Sequence, residues 1–142
     1  MLNICFVCTG NTCRSVMAER LMKRDLKKLK IKDIKVVSKG LNAKGENIAE
    51  NAKFVLKKKG ALASNRKSVK LGKIDDKTIY VTMTESQKHQ ISSKQVMSFK
   101  DLIGYEISDP YGGDKDIYQD CCDQIEEGIK ILINKILKWR KS

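Results

Sequence analysis

Long apolar runs are missing from this 142-residue chain. None approaches the roughly 20 residues needed to cross a bilayer, which argues against a membrane-spanning protein or a membrane partner. Met1 to Val7 is largely apolar but too short for a signal peptide, and no basic region precedes it, so a cytoplasmic protein is expected. Histidine is reduced to His89, which leaves a histidine-built metal centre without ligands. There is one tryptophan, and aromatics do not alternate with basic residues as they do on single-strand nucleic-acid binders, which argues against nucleic acid as partner. Acidic residues are outnumbered, 17 against 29 basic, for a net charge of +12. That surplus favours anionic partners such as phosphorylated substrates, although lysines spread over every segment also serve simply as a solvated surface. Internal repeats, low-complexity stretches and linkers are lacking too.

What is present fits one domain spanning 1–142, with 41% hydrophobic and 32% charged residues. Leu2–Val7 reads as a buried strand. Val16 to about Leu29 carries Val16, Leu21, Met22, Leu26 and Leu29 at helical spacing. Ile34–Val37 reads as a second strand and Asn47 to about Lys59 as a second helix, with Gly60 where a C-terminal cap belongs. Thr78–Met83 reads as a third strand, Thr84–Ile91 as a short helix capped by Thr84, and Gln95–Phe99 as a fourth strand. A polar loop with Ser108-Asp109-Pro110-Tyr111-Gly112-Gly113 precedes a long helix from about Asp116, on whose apolar stripe Cys121 lies while Cys122 is incidental. The alternation predicts an α/β protein: a single-domain three-layer α/β/α arrangement with a four-stranded parallel sheet covered on both faces. Ligands in such sheets bind at the carboxyl ends of strands, which is where the segment after the first strand lies.

The five cysteines are Cys5, Cys8, Cys13, Cys121 and Cys122, an odd set that makes a poor disulfide framework. Clustered cysteines in a reducing compartment bind metal or do chemistry. One C-x2-C pair and one histidine do not make a zinc site, so no metal or other cofactor is expected. Cys5, three residues from Cys8 in a strand, should face away from the loop and belong to the core. The segment Cys8-Thr9-Gly10-Asn11-Thr12-Cys13-Arg14-Ser15 joins a strand to a helix N-terminus. Free backbone N–H groups and the helix dipole make such a joint an anion site. Gly10 is expected to take a conformation closed to other residues. Arg14 can fork two N–H bonds onto phosphate oxygens. Cys8, in that positive field, is an activated thiolate nucleophile, and Ser15 can hydrogen-bond its sulfur.

Residues 5–19 (Cys-Phe-Val-Cys-Thr-Gly-Asn-Thr-Cys-Arg-Ser-Val-Met-Ala-Glu) and the Asp109-Pro110-Tyr111 triplet resemble the motifs of the low-molecular-weight protein tyrosine phosphatase family. Ser38-Lys39-Gly40 matches weakly, and Val16 stands where the family usually has proline, at a first-turn position where proline is merely favoured. The resemblance implies a phosphocysteine mechanism: Cys8 attacks phosphorus, Asp109 protonates the leaving atom, and Arg14 with the phosphate-binding loop of Thr9, Gly10, Asn11, Thr12, Cys13 and Ser15 holds the oxygens. Asn11 would brace the loop, with Ser38 as support, and Tyr111 would wall the cleft unless it is only a surface aromatic. Cys13 is either a packed thiol or a trap for oxidised Cys8.

Thr12 bears on the substrate. Tyrosine-specific members usually carry an aliphatic residue there, whereas Thr offers an acceptor to the N–H groups of a phosphorylated guanidinium. Together with Gly112-Gly113, Thr12 makes the chain most similar to bacterial protein-arginine phosphatases. A phosphorylated protein is thus the expected partner, with phosphoarginine favoured over phosphotyrosine. Two other readings remain open. An arsenate reductase would use the same loop but needs further cysteines after the third strand, and Met83–Lys100 has none. A non-catalytic phosphoprotein-binding module would not need both a thiolate and an acid. The sequence is silent on oligomeric state.

Overall fold

Alternating burial along the first strand sets the architecture. The computed structural model describes residues 1–63 and 65–141. In β1 (Leu2–Cys8), Ile4, Phe6 and Cys8 face one side and Cys5 and Val7 the other, and all five are buried. Only a central strand covered on both faces has this pattern. The chain continues through α1 (Arg14–Lys28), β2 (Ile34–Gly40), α2 (Glu50–Lys58), β3 (Thr78–Thr82), α3 (Glu85–His89), β4 (Val96–Ser98), α4 (Phe99–Ile103) and α5 (Lys115–Lys141). The four strands pair in parallel in the order β2-β1-β3-β4. This is the expected α/β fold, and β1 at its centre delivers Cys8 to the carboxyl edge of the sheet.

The two faces are unequally covered. One carries the main core, where Ile4, Phe6, Val36 and Val81 meet apolar residues of α1, α2, α4 and α5. The other is a small cluster of Cys5, Val7, Tyr80 and Ile91, over which Leu41, Leu71 and Ile74 close from irregular segments. α1, α2 and α5 are clasped at one end by Glu126, which meets Arg24 at 2.7 Å and Lys59 at 2.9 Å.

Several elements differ from expectation for local reasons. The second helix starts at Glu50 and not at Asn47. Asn47 bridges to Lys67, and the Ala49 N–H donates to the Thr12 carbonyl, so these residues are extended and serve the loop. The fourth strand stops at Ser98. There the backbone N–H donates to the Asp101 carboxylate at 2.8 Å, a helix-starting arrangement that turns Phe99, expected as the last strand residue, into α4. The short helix over Glu85–His89 does begin at a Thr84 cap, with Gln87 reciprocating. Cys122 is not incidental: it is fully buried beside Cys121, because α5 is covered on more than one flank.

Gly128 of α5 is required by packing. A Cβ there would lie 2.4 and 2.7 Å from ring carbons of Phe99, which is itself fully buried. On an exposed helix, Gly→Ala stabilises by about 1 kcal/mol. Here overpacking against a fixed ring costs about 1–3 kcal/mol or more and should win. Gly128→Ala is therefore expected to lower the thermal midpoint by several degrees in a calorimetric scan; an unchanged or raised midpoint would refute this account of the α4–α5 contact.

Candidate active site

The joint between β1 and α1 is held by its carbonyls. Those of Cys8, Thr9 and Thr12 accept N–H groups of Leu41, Asn42 and Ala49, each at 2.9 Å. With the carbonyls engaged outside, loop amides are available on the inside, as an oxyanion site requires. The close approach belongs to Gly40 at the end of β2, where a Cβ would sit 2.7 Å from the Thr9 carbonyl oxygen. The left-handed residue is Asn11, at φ 56°. Gly10 itself is outside that region, and a Cβ on it would make only an ordinary 3.7 Å contact with Thr12. The special conformation expected of Gly10 is thus supplied one residue later. Asn tolerates it because its side chain bonds locally.

Cys8 is buried at 2% exposure and its sulfur is addressed by two groups: the Asn11 backbone N–H at 3.2 Å and the Ser15 hydroxyl at 2.9 Å. The neighbours of Ser15 bear on the direction of the second bond. The Asn11 Oδ1 accepts from Arg66 Nη1 at 3.1 Å and from the Val69 N–H at 2.9 Å. That fixes the amide so that Nδ2 donates to Ser15 Oγ at 2.8 Å and to Ser38 Oγ at 3.0 Å. The Ser15 oxygen is then an acceptor toward Asn11, its proton is free to point to the sulfur, and toward a thiolate, which has no proton to give, Ser15 is the donor. Ser38 in turn donates to the buried Glu19 carboxylate at 2.8 Å, and Arg66 also bonds Ser38 and lies 3.3 Å from Glu19.

Arg14, 6% exposed, is oriented by Nη1 donating to the Ile107 carbonyl at 2.9 Å. Its Nε is buried and has no protein partner, so it can serve an oxyanion held in the loop. Nη2 is 3.8 Å from Asp109 Oδ2, a distance of charge attraction without a formed bond. Asp109 is half exposed, and its Oδ1 accepts the Tyr111 N–H at 3.1 Å, which fixes the turn after it. The structure therefore brings the carboxylate, the arginine and the loop together across nearly the whole chain. Cys13 lies against this group, with its sulfur 3.8 Å from Asp109 Oδ1. Burial, and then the neighbouring Cys8 and Asp109, push its thiol up to about 12. At neutral pH it is protonated, and it would have to lose that proton to trap an oxidised Cys8. Cys121 approaches the Ser108 carbonyl from α5, and burial likewise raises it to about 12.

The cleft beside the loop is lined by Thr12, Glu46, Asn47, Tyr111 and Tyr118, among others. Tyr111 is 82% exposed and stands at the rim, while Tyr118 is buried at the base. On the other side, Gln87 of α3 donates to the Thr9 hydroxyl at 3.2 Å while its carbonyl accepts from Met83 and Thr84. Sequence reasoning missed Arg66, Glu19 and Gln87. The only signal for Arg66 was an arginine in a stretch whose other basic residues are lysines, at a place where a forked donor is used. His89 is exposed on α3, and Cys5 is buried on the face opposite Cys8, as expected.

The comparisons with known proteins agree with this geometry. The family model described as low molecular weight phosphotyrosine protein phosphatase matches residues 3–142. A protein-arginine-phosphatase of Geobacillus stearothermophilus is 35% identical over 144 residues, covering 94% of this chain and 95% of that one. The low molecular weight protein-tyrosine-phosphatase PtpA of Staphylococcus aureus is 30% identical, covering 97% of this chain and 96% of its own. A solved YwlE arginine phosphatase, a Cys-to-Ser mutant with a phosphorylated active-site serine, superposes with a TM-score of 0.86 at 31% identity and covers 99% of both chains. This chain belongs to the low molecular weight phosphotyrosine protein phosphatase family.

Proposed function

We propose that this chain is a protein phosphatase that hydrolyses phosphoarginine in proteins, with Cys8 as nucleophile and Asp109 as general acid. The observation that carries the reading is the convergence on one sulfur of the Asn11 N–H and the Ser15 hydroxyl, with Arg14 and Asp109 alongside. Cys8 attacks phosphorus in line; the S–P bond forms as the P–N bond breaks. Asp109 gives its proton to the departing guanidinium nitrogen, then takes one from the water that attacks the phosphocysteine. That second attack breaks the S–P bond, returns the sulfur and releases inorganic phosphate. Arg14 and the loop amides hold the equatorial oxygens throughout. The related arginine phosphatase with a phosphorylated serine in its active site supports a covalent intermediate of this kind.

Arginine over tyrosine rests on the wall beside the sulfur. Thr12 offers an oxygen to guanidinium N–H groups that an aliphatic side chain would leave unpaired in a dry site. Gly112 and Gly113 keep the rim beyond Tyr111 free of bulk. The Geobacillus relative named a protein-arginine-phosphatase supports this choice, and the Staphylococcus relative named a tyrosine phosphatase supports the alternative. An arsenate-reducing cycle finds no support: Met83–Lys100 has no cysteine, and Cys121 and Cys122 are buried on α5.

Kinetics on matched phosphoarginine and phosphotyrosine peptides should favour the former, and Thr12→Ile should reverse the order. A wild-type preference for phosphotyrosine that Thr12→Ile leaves in place would sink the arginine assignment. Asp109→Asn is expected to lower kcat on phosphoarginine about 100-fold, with a smaller loss on p-nitrophenyl phosphate, whose leaving group needs little protonation. Equal losses on both would remove Asp109 from the acid role. Arg66→Met should cut kcat roughly tenfold at nearly constant KM, because it frees Asn11 to turn and misdirects Ser15; a change confined to KM would argue against the relay.

A further inference from the structure

The end of the molecule opposite Cys8 combines loose cations with exposed apolar side chains. α1 stops in a tight left-handed turn: Lys30 takes φ 58°, its N–H meets the Lys27 carbonyl, and the Ile31 N–H meets the Leu26 carbonyl at 2.9 Å. This closure sends Ile31 back onto the core and leaves Leu29 outside, 54% exposed, between Lys28 and Lys30. The last turns of α5 reach the same end. Arg140 binds Asp33 at 2.9 and 3.0 Å, which ties the helix terminus to the turn between α1 and β2. Beside it, Trp139 is 49% exposed where the apolar stripe of α5 runs past the core. A groove with Leu26, Ile31 and Ile34 in its wall is edged by Lys23, Lys27, Lys30 and Lys32. Among the described residues, Lys27, Lys28, Lys30 and Lys32 have no carboxylate partner, whereas Asp25 and Asp33 are each paired with an arginine.

From this placement we propose that this end is a docking surface for an anionic membrane, which the protein touches without crossing. Exposed lysines supply attraction to an acidic leaflet, and the half-exposed Leu29 and Trp139 supply shallow apolar contact at headgroup depth. Tryptophan suits that depth because its ring is apolar and its N–H polar. A nucleic-acid duplex would use the cations but leave the two apolar side chains without a partner. The chain's lack of a spanning run, read above as an argument against membrane partners, bears on insertion and not on this kind of contact. The surface lies at the amino ends of the strands, where Leu2 pairs with Ile34. Seven residues of β1 separate it from Cys8, about 20 Å, so docking would leave the catalytic loop facing away from the bilayer.

Trp139 is the only tryptophan, so its emission reports this end alone. The full chain is mixed with phosphatidylcholine vesicles, with and without phosphatidylglycerol, at about 0.1 M salt, where surface charges still act over roughly 10 Å. Co-sedimentation with the anionic vesicles only, a blue shift of Trp139 emission, and loss of both near 1 M salt are expected. The charge-reversed variant K27E/K28E/K30E/K32E should bind at least about 100-fold more weakly while hydrolysing p-nitrophenyl phosphate at the wild-type rate. L29S should weaken binding a few-fold with no change of charge. If the quadruple variant does not fold, the milder K27Q/K30Q pair should lose affinity in the same direction. The proposal is overturned by no co-sedimentation with anionic vesicles, by binding that leaves the tryptophan emission unmoved, by undiminished binding of the lysine variants, or by tighter binding to duplex DNA than to the vesicles.

Discussion

The direction of one hydrogen bond, from the Ser15 hydroxyl to the Cys8 sulfur, is the constraint on which the rest of this structure depends. A hydroxyl can turn either way, and only the donating orientation supports a negative sulfur. That orientation is supported from outside the loop. Arg66 and the Val69 N–H occupy Asn11 Oδ1, which leaves Asn11 Nδ2 to occupy the Ser15 oxygen. Cys8, Asn11 and Ser15 are buried, and a reversed Asn11 amide would set donor against donor at a cost of about 1–3 kcal/mol per unpaired group. The loop is thus set before any substrate arrives, as electrostatic catalysis requires.

Secondary structure brings these parts together because parallel strands end on the same edge. Cys8 and Gly40 are paired in register at the ends of β1 and β2, so the loop and the segment after β2 leave the sheet side by side. The absence of a side chain at Gly40 lets the Thr9 carbonyl pass close by, and the chain beyond it supplies Leu41, Asn42 and Ala49 to the loop carbonyls. The unequal covering of the sheet has a functional side as well. α1 and α5 pack on the main face, while Arg66 and Val69, outside any helix, reach into the support of Asn11.

What was legible in the sequence was whatever is local. Cys8 through Ser15 is contiguous, so an anion-binding loop with a cysteine in it is legible from residue type and spacing, while Asp109-Pro110-Tyr111 enters through the family resemblance, and the structure brings the two segments together. Asn11 and Ser38 could be linked through the family resemblance, and the structure has them bonded. Arg66, Glu19 and Gln87 were not legible, because each acts through a partner 19 to 78 residues away that no periodicity announces. Gly10 was misjudged for a related reason. A glycine in a loop suggests a left-handed turn, yet the turn fell to Asn11, whose side chain has four protein partners to hold it there. Helix starts were misplaced where residues that could join a helix are used elsewhere: Asn47 and Ala49 serve the loop, and Phe99 is turned by the Ser98–Asp101 contact.

Arg14 couples the two halves of the chemistry. Its side chain is anchored by the carbonyl of Ile107, two residues before the acid, and its own helix begins in the phosphate loop. A shift of the segment carrying Asp109 therefore also shifts the Arg14 guanidinium, the group proposed to grip the oxyanion. Cys13 and Cys121 pack against Asp109 and Ser108 from two sides, and both are kept as neutral thiols by burial, so the carboxylate is positioned without a further charge. On the proposed roles, the nucleophile Cys8, the oxyanion grip Arg14 and the acid Asp109 are one mechanical unit. Groups that act as such a unit lose their effects together and not additively when any one is removed. With the proposed specificity role of Thr12, such a site could change its substrate without disturbing the parts proposed to break the bond, because the Thr12 backbone is held in the loop while the residue also lines the cleft.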